Sequence, residues 1–290
     1  MKIILSRKGI DSASGGMASP ILPCGCFCSI PIPDSQASGL RYSDIWFGRR
    51  TLMDICSQLD PQWEDKFEFA HLDPDLRHDA LVRRLAGWRP AFGQSKVAAS
   101  HLQNNGVDKG DLFVFFGWFR KTKAENGKLR FDPDDRHGRH MIYGWLEVGT
   151  VVDVDAELPN GDLSFLADHP HLHFATKPKP NLVYVGSQSG LRAGLFGKQA
   201  DDVSLTRLER LGCRRSIWQF PLTCESLLRQ NGLSYHRNKE LQILPDGIIF
   251  RAAGRGQEFI FDGREHPDAR DYFTGLIPAM DGQTSCQHTF

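Results

Sequence analysis

Apolar positions in this chain fall in short runs and brief alternations, with little sustained helical spacing. The pattern predicts a strand-rich mixed α/β (α+β) domain with few and fairly short helices. Lys2–Leu5, Asp111–Phe116, His140–Val154, Asn181–Gly186 and GQEFIFDG near the end read as strands, Asp111–Phe116 as a buried one. A helix is expected from about Ser95 to Gln103, closed by Asn105-Gly106. Further helical stretches are expected over DLRHDALVRRLAGW and HPDARDYFTGLI, with one short helix and a tether in 41–69. Lys121–Arg139, charged and punctuated by Gly and Pro, reads as an exposed loop. Trp218, Phe220 and Tyr235 are expected to pack around short strands and a turn, and the last ten residues to fray.

No internal repeat or Pro/Ser-rich linker interrupts the 290 residues, so one continuous domain over 1–290 is expected, with a boundary near Asp201 as the one alternative. Thirty-five basic residues balance 35 acidic ones, which argues against a non-specific nucleic-acid binder while leaving room for a local basic cleft. No apolar run approaches the length of a membrane span, so no membrane partner is expected. Seven cysteines without a secretion signal point to reduced thiols and a cytoplasmic setting. Cys24, Cys26 and Cys28 are spaced too tightly for a zinc knuckle and read as neutral thiols.

Candidate chemistry gathers in polar stretches beside the strands. After the first strand, Ser6, Arg7, Lys8 and Asp11 open a Gly/Ser-rich loop, where several prolines keep a helix from following. It is neither a Walker loop nor a dinucleotide fingerprint. His71, Asp73 and Asp75 alternate, and an extended backbone would present them on one face to a metal or a water. The alternative is turn or cap chemistry at Asp73-Pro74. Gln94 and His101 flank the first turns of the predicted helix. Trp118, Phe119 and Arg120 end a strand in the manner of a nucleotide-facing edge, with core packing as the competing reading of the two rings. His140, beside Arg136, His137 and Arg139, is a candidate anion contact, and Arg192 sits in a Gly-rich loop. His169, His171 and His173 are candidate metal ligands, although Pro170 bends the strand that would align them.

The order of the strands in GDLFVFF and MIYGWLEVGTV is similar to that of PUA-like and EVE-like reader barrels. A broader resemblance spans nearly the whole chain. It is carried by ILSRKGIDSASGGMASPILP, IPIPD (Ile30–Asp34), HLDPDL, FGQSKVAASHLQNNGVDKGDLFVFFGWFR, HPHLHF, SIWQFP, LSYH and GQEFIFD. Together these resemble the nucleotide modification associated domain type 3 family of bacteria, archaea and phages, which is associated with systems that modify nucleobases in DNA. The chain departs from the family pattern at PCGC, where a loop like PDG is expected.

The resemblance implies a nucleotide or DNA substrate and other modification-system proteins as partners, and it transfers no reaction. On the residues themselves, Asp11 or Asp73 would act as general base and His71 or His101 as general acid. Arg7, Lys8 or Arg120 would anchor phosphate, and Trp118 or Phe119 would stack the base. A PUA-like reader without catalysis is the alternative. A metal-dependent nuclease is the third, and it requires HLDPD and HPHLH to meet in space.

Overall fold

The computed structural model describes residues 1–34, 39–157, 162–174, 178–197, 203–207, 214–236, 240–253 and 258–278. The boundary considered near Asp201 and the last ten residues lie outside them. The amino-terminal part holds β1 (Lys2–Arg7), β2 (Ser19–Ile21), the short pairs β3 (Ile32–Pro33) to β6 (Ala70–His71) and β4 (Trp46–Phe47) to β5 (Arg50–Thr51), and helices α1 (Leu52–Leu59) and α2 (Trp63–Lys66). The middle holds β7 (Ala91–Ser95), α3 (Lys96–Asn104), β8 (Leu112–Glu125), β9 (Lys128–Phe131), β10 (Arg139–Asp153) and α4 (Val154–Glu157). Then follow β11 (Asn181–Gly186), β12 (Ala193–Leu195), β13 (Ile217–Phe220), α5 (Glu225–Arg229), β14 (Gln242–Leu244), β15 (Gly247–Arg251), β16 (Glu258–Asp262) and α6 (Pro267–Gly275). The strand-rich mixed α/β class is as expected.

One mixed sheet dominates, with its path running β16-β1-β8-β10-β11-β7 and with β2, β9 and β12 attached to the two long strands. β1 lies parallel to β8, and β16, β10, β11 and β7 pair antiparallel to their neighbours. β8 is buried along its first six residues because rings and apolar groups cover both faces. On one side Phe92, Phe113, Phe115 and Tyr184 interlock edge to face, with centroids 4.9–5.1 Å apart. On the other, Phe116 meets Trp218 of the three-stranded sheet β13-β15-β14 at 5.1 Å.

The path leaves two edges, β16 and β7, and no closed barrel is found among the described residues. Side chains join those edges instead. Glu258 on β16 accepts from Gln94 Nε2 on β7 and, at 2.9 Å, from Lys8 Nζ. The Lys8 ammonium also rests 4.7 Å from the centre of the Phe92 ring. α3 lies beside this seam, where its His101 ring packs on Tyr235 and Tyr235 packs on Phe259.

Four expectations are corrected. DLRHDALVRRLAGW makes only the 3₁₀ turn His78–Ala80. The buried Asp75 carboxylate instead receives both Nη atoms of Arg84 and the Trp88 indole, winding the segment around a charge. Within Lys121–Arg139, β8 continues to Glu125 and turns through Asn126 and Gly127, both left-handed, into β9. Tyr235 is 44% exposed in a turn, while Trp218 and Phe220 are core as expected. Of the amino-terminal cysteines, Cys24 is exposed, burial pushes the Cys28 thiol up to about 12, and Cys26 is disulfide-bonded, against the reading of three neutral thiols.

The Lys8–Glu258 pair is almost fully buried, so removing one partner strands a charge. Glu258→Ala is expected to cost about 3–5 kcal/mol in chemical denaturation. Replacing both, Lys8→Met with Glu258→Leu, should recover most of that loss. A single replacement no worse than the double would show that the pair does not tie the seam.

Candidate functional site

The segment before β7 and the turn before β11 deliver an acid and three imidazoles to one place. β6 ends at His71, and the chain then turns so that Asp73 faces β7, where its Oδ1 accepts the Gly93 N–H at 2.8 Å. Pro170 starts a 3₁₀ turn that swings His169 and His171 inward. Their Nε2 atoms lie 3.5 and 3.7 Å from the Asp73 carboxylate. Asn181, the first residue of β11, holds His171 from both ends, with its Oδ1 2.6 Å from Nδ1 and its Nδ2 donating to the His171 carbonyl at 2.9 Å. Phe174 stacks on His71 and meets His171 edge on.

Gly93 makes this approach possible, because any Cβ there would overlap the His171 ring. HLDPD and HPHLH thus meet in space. Asp75 and His173 do not join them: Asp75 is taken by Arg84, and His173 turns its Nε2 to the Ala167 carbonyl.

Burial holds the His171 imidazole down at about 3 and lowers His71 as well. Burial would raise the Asp73 carboxyl, but the His169 hydrogen bond and the neighbouring imidazoles outweigh it and hold it near 2. Near neutral pH the Asp73 carboxylate is therefore an anion beside the neutral rings of His71 and His171.

Two clefts meet beside this cluster. The smaller, about 220 Å³, is lined by His71, Asp73, His171, Gln94, Phe174 and the loop from Arg7 to Asp11. The larger, about 490 Å³, carries Arg7, Lys8, Arg136, Arg214 and Arg215 against one carboxylate among the described residues, Asp11, with Phe116, Trp118, His140 and Trp218 in its walls. Arg7, Lys8, Gly9 and Asp11 line both. Gly117 lets β1 end here, since a Cβ on it would come within 2.7 Å of the Lys8 carbonyl.

The other expected site residues fall into two groups. Asp11 caps its own turn, with Oδ1 accepting from Ala13 and Ser14 at 2.8 and 2.9 Å, and Trp118 lies under the Arg215 guanidinium at 3.8 Å. His140 accepts the Trp218 indole N–H at 3.0 Å on Nδ1, and burial pushes it down to about 3. Ser6 is fully buried, lines neither cleft and pairs in register with Glu258.

The second group lines neither cleft. Phe119 is fully buried against Phe27 and Tyr143, so no ring face is left to stack a base. Arg120 donates to the Asp135 and Asp132 carbonyls and lies over Phe131, which commits it to the hairpin base. His101 lies in the last turn of α3, where its carbonyl accepts from the C-cap residue Asn105, and Arg192 occupies an exposed left-handed turn.

The family of the chain follows from comparison. The model of nucleotide modification associated domain 3 matches residues 2–262. The chain belongs to this family. Nucleotide modification associated domain 3 spans every element from β1 to β16, so the family match takes in both clefts and the seam. The family description connects the chain with nucleotide modification. No curated protein and no solved structure matches the chain. No helix among the described residues is long and apolar enough to cross a membrane.

Sequence reasoning missed Glu258, Asn181, Arg215 and Trp218 as site residues. Glu258 and Asn181 are polar residues that open strands whose next three residues are apolar, which was the available signal.

Gly93→Ala is expected to destabilise the protein by about 1–3 kcal/mol in thermal melting. The loss should shrink when His171→Ala removes the clashing ring, and additive costs would show that the two do not touch. His140 is neutral in the fold and titrates near its ordinary 6.5 when unfolded, so the unfolded state binds more protons below that pH. Stability should fall as pH drops from 6.5 toward 3, and His140→Gln should make that slope shallower by up to about 1.4 kcal/mol per pH unit. An unchanged slope would mean that this ring does not stay neutral.

Proposed function

We propose that the protein is an enzyme of nucleobase modification. It takes a nucleotide, free or within DNA, with phosphate in the larger cleft and the base directed to the smaller one. One observation carries this reading: the clefts share Arg7, Lys8, Gly9 and Asp11. A basic, aromatic wall suited to phosphate and a flat ring therefore runs straight into a chamber lined by a carboxylate and imidazoles.

In this reading Arg7, Arg136, Arg214 and Arg215 meet phosphate, and the stacked Trp118–Arg215 pair offers a flat platform to the base or sugar. Asp73 and His71 stand at the reacting end, and Asp11 takes a hydroxyl or a proton at the junction. A reader of modified bases would need the larger cleft and have no use for the chamber, so the chamber favours an enzyme. The meeting of HLDPD and HPHLH favours a second reading, metal-dependent strand cleavage.

Fluorescence titration with nucleotides and labelled single-stranded DNA tests the binding. Arg215→Ala and Trp118→Ala are each expected to weaken it about tenfold or more, with affinity falling steeply as salt rises. Affinity indifferent to both replacements would sink the assignment of the cleft. Mass analysis of the recovered nucleic acid then separates an altered base from a cut strand or an untouched ligand.

A further inference from the structure

The geometry points to a mononuclear site for a divalent first-row transition metal, held by His71, Asp73 and His171, with its remaining positions open to the smaller cleft. One ligand atom from each of the three lies within 4.8 Å of the others. Around an ion with bonds of about 2.1 Å, neighbouring ligands stand roughly 3–3.5 Å apart. The 3.7 Å between His171 Nε2 and Asp73 Oδ2 is already close to that spacing.

The protons make the stronger argument. Asn181 Nδ2 donates to the His171 carbonyl, which fixes the amide so that its oxygen faces His171 Nδ1. That ring nitrogen therefore carries the hydrogen, and the bare Nε2 points at a carboxylate oxygen. Two lone pairs face one another in a buried place, an arrangement that a bound cation makes favourable. The other carboxylate oxygen is already engaged by the Gly93 N–H and approached by His169. His169 in turn accepts the His171 N–H on Nδ1, so its own Nε2–H faces Asp73 and orients the ligand.

The donor set narrows the ion. Two imidazoles and one carboxylate suit iron, manganese, cobalt or zinc in their divalent states, whereas magnesium and calcium prefer oxygen ligands. The open side faces Arg7, Lys8 and Gln94, so an anionic group in the cleft has both the ion and the cations within one chamber. Such an ion would polarise a bound oxygen or activate a water. That use rests on the nucleotide reading above, so metal and nucleotide are measured separately.

Chelator-stripped protein is loaded with Co(II), desalted, and read by elemental analysis and visible absorption. About one cobalt per chain with d–d bands is expected. The bands should vanish in Asp73→Asn and His171→Ala and persist in His173→Ala, while Asn181→Ala should weaken affinity by about 10–100-fold. Circular dichroism checks each variant. Should the buried positions fail to fold, His71→Ala, at the cleft surface, gives the same reading. Folded wild-type protein without stoichiometric cobalt, or bands indifferent to His71→Ala, would overturn the site. Nucleotide titration of the metal-free protein keeps the two readings apart: binding intact with no metal site overturns this inference alone, and cobalt bound without any nucleotide binding overturns only the function.

Discussion

A sheet that bends far enough to bring its first and last strands together must still deal with two unpaired edges. Here a charge resolves the problem. Lys8 leaves the end of β1, passes over the Phe92 ring and meets Glu258 at the start of β16, while Gln94 reaches the same carboxylate oxygen from β7. No ladder of backbone bonds is needed, and the gap that side chains leave is where the smaller cleft opens. A fully hydrogen-bonded barrel would have no such opening at this position. The second carboxylate oxygen of Glu258, like the hydroxyls of Ser6 and Tyr184, is buried without a hydrogen-bond partner among the described residues. The seam therefore holds a polar pocket inside an aromatic core, where each unmet group costs free energy that only the fold or a ligand offsets.

The same logic orders the cluster around Asp73. Gly93 and Gln94 are consecutive on β7 and face opposite ways, as strand pleating requires. One brings its N–H and its missing side chain to Asp73 and His171, and the other turns to Glu258. A single strand thus sets the distance between the seam and the imidazoles, and little local freedom is left to either.

Much of this was legible in the sequence. The buried strand from Leu112, the helix after Ser95, β11 from Asn181 to Gly186 and the closing strand at GQEFIFDG are where their apolar runs and turn residues put them. HLDPD and HPHLH stood out as two short runs of ligand-type side chains whose meeting only a nuclease reading required, and periodicity could not say that a 3₁₀ turn at Pro170 would bring two imidazoles in and leave His173 out. Asp75 looked equivalent to Asp73 until Arg84 and Trp88, nine and thirteen residues on, claimed it. That contact also cancelled a helix which local propensity supported, because a buried carboxylate needs its partners more than the backbone needs a helix. The Asn126-Gly127 pair was a hairpin signal in plain view, obscured by the charges around it. Trp118 and Phe119 show the limit of composition: neighbours on one strand point to opposite faces, and only packing decides which ring is core.

Acidic and basic residues are equal in number over the chain, yet the larger cleft collects, among the described residues, five cations against one carboxylate. That lining is net basic, so the cleft is a local positive pole on a chain that is neutral as a whole. A cluster of cations at one opening turns an approaching anion toward it before any contact is made. Neutrality overall and attraction locally then make an encounter with an anionic ligand directional, without the indiscriminate adhesion that a uniformly basic surface would bring.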